Sequence, residues 1–299
     1  MPQILHLSPA PGSDSWLLTE GDSAVLLETG YACTARQMLP LVTEALAGRT
    51  LQTILLSHSH YDHASATPQF SAAFPQAEIA AAEHTAHVFT RPGARRVMRE
   101  MNAAAAKHYG CEPDDSMLDA LRVDRILRDG DAVALGSARL QVWETPGHTK
   151  CSLSFYDADA SLLLAAETFG IPDRPLPAGE PPAEDIMVIP SCMAGVESSL
   201  RAIKRAAAAA PQSILIPHTG VVSGEAAAFY LRKAAQWLTY GRDLVLDGAR
   251  RGTPLPELTA EWKKLFYTPH TALIQPEAAF DLNAKNILPA IAREYGIEF

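Results

Sequence analysis

The sequence predicts a mixed α/β fold of four layers, αββα, in which two β-sheets pack together and helices cover their outer faces. Short apolar runs typical of strands are followed by helical patterns twice along the chain, and a helical tail follows the second set. A sheet buries its apolar face against another layer, so this order of elements favours a sandwich of two sheets. We expect the sandwich to span residues 1–223 and a C-terminal helical segment to span residues 224–299.

The first set of elements opens with strands. Two short apolar runs, residues 15–19 and 23–28, flank Gly21 and Asp22 and predict a hairpin. Residues 51–56 form an apolar run of the length expected for a strand buried on both faces. The other elements predicted here are helices over residues 34–47, 63–74 and 83–109, the last with a break at 91–93, and a strand over residues 78–82.

The second set repeats this order. It comprises predicted strands over residues 133–135, 139–144, 152–156 and 162–166, a helix over 193–210 and a strand over 213–217. The helical patterns of residues 224–299 predict three further helices.

The composition is that of a globular protein, with 47% hydrophobic and 20% charged residues. The chain carries 34 acidic and 25 basic side chains, a net charge of −9, which argues against a broad phosphate-binding surface. We therefore expect a small-molecule substrate and neither a nucleic-acid nor a membrane partner. A homodimer is the assembly left open.

The spacing of the cysteines and the character of the first residues bear on the cellular compartment of the protein. Cys33, Cys111, Cys151 and Cys192 are far apart and form no C-x-x-C pair, so neither a disulfide framework nor a thiolate zinc site is expected. The first residues lack a basic stretch followed by an apolar region, and no apolar run approaches the ~20 residues that span a bilayer. These features predict a cytoplasmic location.

The segment with the clearest chemistry follows the apolar run at residues 51–56. It reads Ser-His-Ser-His-Tyr-Asp-His and places His58, His60, Asp62 and His63 where a strand gives way to a helix. Active sites of α/β proteins lie at such strand ends. Imidazole suits zinc, iron or manganese, and His58 and His60 alternate so that both rings face one ion. Asp62 and His63 then serve a second ion, and two ions ~3.5–4 Å apart are typical of hydrolytic centres.

The H-x-H-x-D-H pattern after an apolar strand resembles the metallo-β-lactamase superfamily. The resemblance implies a third histidine in a G-H-[ST] turn, which His148 supplies, so that His58, His60 and His148 form the first site. It also implies a late histidine after an apolar strand, which His218 supplies. The bridging aspartate of the family is replaced by Glu167, so that the implied second site is Asp62, His63, Glu167 and His218. Its cofactors are two divalent transition metals, zinc first, with iron or manganese as alternatives.

The resemblance also bears on the branch of the family. His63 stands where some zinc β-lactamases have a cysteine ligand, which disfavours lactam antibiotics and favours thioesterase, lactonase or glyoxalase II members. The helical tail is similar in layout to the quinolone-signal response thioesterase, whose C-terminal helices cover the metal site. We therefore expect the segment over residues 224–299 to pack on the active-site face.

The activity that these features predict is hydrolysis of a thioester, lactone or other ester by a metal-bridging hydroxide, with Asp62 as the catalytic carboxylate. Three alternatives remain open at this point: a di-iron oxidoreductase, which Glu167 favours, a metal-dependent phosphodiesterase, and a metal-binding protein that has lost activity. Weaker candidates for the site are His84 with His87, the segment ending at His270, and Cys151.

Overall fold

The computed structural model describes residues 2–176 and 184–299. The chain forms two compact units, the first comprising Met1–Glu144 and Leu153–Ala160 and the second Thr145–Ser152 and Ser161–Phe299. The fold is mixed α/β, as the sequence predicted. It has two six-stranded sheets, helices between the strands and a further set of helices at the C-terminal end. The boundary at residue 223 stays a prediction.

The first unit contains a six-stranded sheet in which every strand neighbours the next in the chain. The pairs β1–β2 and β2–β3 are antiparallel, and β3 to β6 are parallel. The central strand β4 is almost wholly apolar on its buried positions, as a strand covered on both faces requires. The strands are β1 Gln3–Ala10, β2 Ser13–Glu20, β3 Ser23–Leu27, β4 Thr50–Leu55, β5 Glu78–Ala82 and β6 Arg125–Leu127.

Five helices of the first unit lie between these strands: α1 Ala35–Leu46, α2 Tyr61–Ala64, α3 Thr67–Ala73, α4 Glu83–Thr90 and α5 Pro92–Tyr109. The helix predicted over residues 63–74 is wrong in one respect, because it is two helices. Pro68 lies in the first turn of α3, and a proline there starts a helix more readily than it continues one. The predicted break before α5 is confirmed at Arg91.

The first unit also holds an antiparallel set of three strands, β7 Ala132–Leu135, β8 Ala138–Glu144 and β9 Leu153–Asp157. The carboxylate of Glu20 accepts hydrogen bonds from the Ser137 hydroxyl at 3.0 Å and the Ala138 backbone N–H at 2.7 Å. One side chain at the end of β2 thus fixes the tight turn between β7 and β8. These strands lie within two residues of their predicted bounds.

The strands of the second unit are β10 Leu162–Leu164, β11 Ile171–Pro172, β12 Val188–Ile189, β13 Ser213–Ile216 and β14 Gly220–Ser223. β13 pairs in parallel with β10 and antiparallel with β14, and β11 pairs with β12. β14 was not predicted, because four residues after a histidine turn carry too short a pattern to distinguish a strand from a loop.

The helices of the second unit are α6 Val196–Ala209, α7 Glu225–Arg250, α8 Leu255–Phe266, α9 Pro269–Ile274 and α10 Glu277–Glu294. The prediction of three helices in the tail is wrong, since four are present, and α8, α9 and α10 each begin at or next to a proline. Gly241 and Gly248 of α7 let Trp262 and Leu258 of α8 approach closely. In the described ranges no helix combines the length and apolar character that a membrane span needs.

Candidate metal centre

The first group of predicted ligands lies at the carboxyl end of β4. The strand ends at Leu55, and after a short extended segment α2 begins at Tyr61. His58 is fully buried, and His63 and Asp62 are 3% and 9% exposed. The parallel neighbours β3 and β5 end at the same edge of the sheet, which is where side chains of an α/β site converge.

The backbone of α2 is held against the end of β3 through the carbonyl of His63. This single oxygen accepts hydrogen bonds from the backbone N–H of Thr29 at 2.9 Å, the N–H of Gly30 at 3.2 Å and the Thr29 hydroxyl at 3.0 Å. The N–H of Ala64 donates to the His60 carbonyl at 3.0 Å and closes the first turn of the helix. The backbone is therefore hydrogen-bonded on both sides of Asp62.

The side chains of this group face one another. The His58 ring centroid is 4.7 Å from that of His60 and 4.2 Å from that of His63. His63 Nε2 lies 3.6 Å from a carboxylate oxygen of Asp62. The structure thus brings together all four ligands that the sequence predicted in this segment.

Glu28 is a residue of this site that the sequence analysis missed. Its Oε1 accepts the backbone N–H of Ser57 at 3.0 Å, and its Oε2 lies 3.6 Å from Nδ1 of His63. Glu28 is 4% exposed and has a φ of 66°, a left-handed conformation that is uncommon for a non-glycine residue. The available signal is a charged residue directly after the apolar strand β3, which the hairpin prediction includes only as its last residue.

Two tyrosines lie near Asp62. The hydroxyls of Tyr31 and Tyr109 are hydrogen-bonded at 3.2 Å, and their rings are 5.3 Å apart. Burial raises the pKa of Tyr31 well above its ordinary value, and the negative charge of Asp62 adds to the effect. Burial also raises the pKa of Tyr109, and Asp62 again contributes. Both hydroxyls therefore keep their protons at neutral pH beside the carboxylate.

In the second unit, the predicted turn holds His148 by its backbone. The N–H of His148 donates to the Thr168 hydroxyl at 3.1 Å, and that hydroxyl donates to the Thr145 carbonyl at 2.6 Å. The Ala194 N–H donates to the Gly147 carbonyl at 2.7 Å. A Cβ at position 147 would collide with Ser199 and Thr168, so only glycine fits this turn.

Glu167 lies between two histidines of the second unit. Its Oε2 is 3.5 Å from Nε2 of His148, and its Oε1 is 3.1 Å from Nε2 of His218. The residue begins a 3₁₀ turn, Glu167–Phe169, since β10 ends at Leu164 rather than at the predicted Ala166. The structure thus brings together the three predicted ligands of this unit, His148, Glu167 and His218.

His218 follows β13 and has a φ of 59°, which is again left-handed. His270, one of the weaker candidates, lies close enough to His218 for the two to interact electrostatically. Burial lowers the pKa of His270 and the His218 charge lowers it further, while Asp173 opposes them. His270 is therefore neutral at pH 7.

The donor set fits divalent transition metals. The Nδ1 atoms of two histidines are hydrogen-bonded to hydroxyls, that of His58 to Ser57 at 2.9 Å and that of His148 to Ser191. Nδ1 of His63 faces the Glu28 carboxylate at 3.6 Å. Partners of this kind orient metal-ligating imidazoles and direct the other ring nitrogen, Nε2, toward the ion. Buried imidazoles and carboxylates together are the ligands that zinc, iron and manganese accept.

The remaining candidates are two histidines of α4 and a cysteine in the turn that carries His148. His84 and His87 are exposed on α4, with ring centroids 5.9 Å apart. Cys151 is buried, and its Sγ lies 3.2 Å from the Thr149 hydroxyl. It supports the turn that carries His148.

Histidines and carboxylates at the ends of parallel strands, with orienting partners behind them, define a metal-binding α/β protein. The profile of the metallo-beta-lactamase superfamily matches residues 9–218. The chain therefore belongs to the metallo-beta-lactamase superfamily.

Two similar proteins match the chain only in part and at about 30% identity. A hydroxyacylglutathione hydrolase from Methylobacterium sp. (strain 4-46) is 31% identical over 121 residues, which cover 40% of this chain and 35% of that protein. A probable metallo-hydrolase from Burkholderia pseudomallei (strain 1710b) is 27% identical over 154 residues, 49% of this chain and 47% of that protein. The chain thus aligns with less than half the length of either relative.

The crystal structure of a metallo-beta-lactamase family protein from Thermus thermophilus has the same fold. It superposes with a TM-score of 0.63 at 20% identity and covers 99% of this chain and 94% of that one.

Proposed function

We propose that this superfamily member is a binuclear metallohydrolase that cleaves a small thioester or lactone. The observation that carries the proposal is the His58-to-His63 segment at the end of β4, whose imidazoles lie against Ser57 and Glu28. His58, His60 and His148 would hold one ion. Asp62, His63, Glu167 and His218 would hold the other. This assignment follows the order of the motifs along the chain.

The two divalent ions, when bound, polarise a carbonyl and lower the pKa of water. The residues of the chain have three tasks. The histidines hold and orient the ions, and their Nδ1 partners keep each ring in place. Glu167, with an oxygen toward each of two histidines, would supply a carboxylate ligand. Asp62 is the carboxylate that we assign to proton uptake during attack on the carbonyl.

The preference for a thioester or lactone has two supports. A thiolate leaving group needs little acid assistance, and within residues 2–176 and 184–299 we identify no strong general acid beside the two groups of ligands. The hydroxyacylglutathione hydrolase that aligns with part of the chain is named for a thioester substrate. The net charge of −9 also disfavours a polyanionic substrate, because long-range repulsion lowers its rate of encounter.

A di-iron oxidoreductase is the second candidate. The Glu167 carboxylate faces two histidines, and iron accepts such a combination of carboxylate and imidazole ligands. Hydrolysis needs no change in the oxidation state of the ions. Metal identity and the response to an oxidant therefore separate the two candidates.

The test combines metal quantification of the purified protein with a panel of thioesters, lactones and phosphodiesters. We expect about two transition-metal ions per chain and the highest kcat/KM on a thioester or lactone. His60→Ala should remove most of the activity and the metal of one site, whereas His87→Ala, which changes an exposed histidine of α4, should change neither. A metal-free wild-type protein with full activity would refute the proposal. A higher kcat/KM on phosphodiesters would refute the substrate class.

A further inference from the structure

The second unit contains an apolar groove between α6 and α7. Its volume is about 430 Å³, within the ~300–1,000 Å³ typical of small-molecule sites. The floor is formed by the buried side chains of Ile203 and Leu231. Ala207 on α6 and Ala228 on α7 line the opening, and their small side chains leave it unfilled. A long side chain at either position would occupy the same space.

The rim of the groove is basic. Lys204 of α6 and Arg232 of α7 both line it, and both are exposed. The Arg232 guanidinium lies 5.4 Å from the centre of the ring of Phe229, which is on the same helix. In the described parts of the chain no acidic side chain lines the groove. This is a local excess of positive charge on a protein whose net charge is −9.

An apolar floor with cations at its edge is complementary to a molecule with an apolar chain and an anionic head. We propose that the α6–α7 groove binds an amphipathic carboxylate of medium chain length, with the chain over Ile203 and Leu231 and the carboxylate between Lys204 and Arg232. The chain would lose contact with water on the floor, and the head would stay at the solvated rim. This site lies within the second unit and contains none of the residues assigned to metal binding.

The helix α6 also reaches the turn that carries His148. Ser199 of α6 lies against Gly147, one helical turn from Ile203 on the groove floor. The proposed ligand would therefore contact a helix that supports the candidate metal centre. The binding inference stands without the proposed hydrolase activity, because it rests on the groove alone.

The test is calorimetric titration of the metal-loaded protein with decanoate, octanoate and decyltrimethylammonium. We expect saturable binding of one decanoate per chain. Octanoate should bind about 15-fold more weakly, because it lacks two methylenes and each buried methylene contributes roughly a fourfold factor. The cationic probe, with the same chain, should bind at least tenfold more weakly than decanoate.

Variants locate the binding. Ala228→Phe should weaken decanoate binding at least tenfold, whereas Ala228→Ser at the same position should not. Lys204→Glu should also weaken it, and Lys285→Glu, an exposed lysine of α10, should not. His60→Ala should bind decanoate as the wild type does, which separates the groove from a carboxylate product held at the metal centre.

Circular dichroism confirms that each variant is folded. The proposal is overturned if Ala228→Phe binds decanoate normally, if octanoate and decanoate bind equally, or if His60→Ala abolishes binding. It is also overturned if the groove is a contact between two copies of the chain. In that case the wild type would be a dimer that binds no decanoate, and Ala228→Phe would dissociate the dimer.

Discussion

The carboxylate of Glu28 connects the backbone of Ser57 to the ring of His63. One oxygen accepts the Ser57 N–H at 3.0 Å and the other lies 3.6 Å from His63 Nδ1. A single buried side chain directly after β3 thus sets both the start of the ligand segment and the orientation of one of its imidazoles.

Replacing this carboxylate by an amide tests that role. Glu28→Gln keeps the size of the side chain but removes its charge, and we expect metal affinity to fall about 10- to 100-fold, as changes behind a metal ligand typically do. The measurement is a chelator competition with the metal of choice. Glu44→Gln, which changes an exposed residue of α1, is the control. Unchanged affinity in Glu28→Gln would mean that His63 is oriented by its backbone alone.

Glu167 is expected to hold the second ion. In Glu167→Asp the carboxylate retreats by one methylene, and in Glu167→Gln it becomes a poorer ligand, so both should lose the second ion before the first. Because the loss affects the chemical step, kcat should fall more than KM rises. Metal stoichiometry and steady-state kinetics measure this, with Glu257→Gln on α8 as control. Two ions and normal kcat in both variants would show that Glu167 is no ligand.

The Ser191 hydroxyl is the partner of His148 Nδ1. Ser191→Ala should leave the fold intact and lower metal affinity about tenfold, because the ring loses the group that fixes its orientation. Ser191→Thr retains a hydroxyl and should restore most of the affinity. Equal losses in the alanine and threonine variants would point to packing rather than to the hydrogen bond.

Replacing Gly147 by alanine should destabilise the protein, whereas the same replacement at Gly93 should not. Gly147→Ala places a methyl group against Ser199 and Thr168, and such overpacking costs about 1–3 kcal/mol of unfolding free energy. Gly93→Ala in the first turn of α5 meets no atom within 4 Å and should stabilise the protein by up to about 1 kcal/mol. Denaturant unfolding measures both. Equal effects of the two substitutions would contradict the tight turn.

The buried thiol of Cys192 should lower the free energy of unfolding at alkaline pH. Burial raises the pKa of its thiol from 9.0 to about 12. Between these values the unfolded chain has released the proton that the folded protein retains, so stability is complete below pH 9 and declines as the pH rises toward 12. The slope from one such proton is at most about 1.4 kcal/mol per pH unit.

The comparison is between the wild type and Cys192→Ala, unfolded by denaturant in reducing buffer across the mildly to moderately alkaline range. The variant should show a shallower decline. Cys33, whose pKa burial also raises to about 12, adds a decline of the same sign that both proteins share. Parallel curves would show that the Cys192 thiol titrates normally.

Much of the fold and the ligand set could be predicted from local patterns. Three consecutive apolar residues, Ile54, Leu55 and Leu56, precede Ser57 and His58, and such a short apolar run is typical of a buried parallel strand. The histidines follow strand ends directly, so their clustering within each unit follows from the order of elements. The tail was harder, because Pro269 and Pro276 divide it into helices whose ends the apolar periodicity does not mark.

The partners behind the ligands could not be predicted. Glu28 lies 35 residues before His63 in sequence, and Ser191 lies 43 residues after His148. Nothing in a single sequence pairs residues at such separations. Glu28 can be recognised as part of the site only once the structure shows that its strand, β3, pairs with β4, the strand that precedes the histidines.

The left-handed backbone at His218 has a consequence for protein engineering. A non-glycine residue in this conformation costs roughly 1–2 kcal/mol, so the chain sacrifices stability at the position of a proposed ligand. A laboratory selection for thermal tolerance alone would therefore favour glycine or asparagine at position 218. Such a selection would enrich more thermostable variants that lack the imidazole at position 218. Screens for thermal stability therefore need a parallel assay for bound metal.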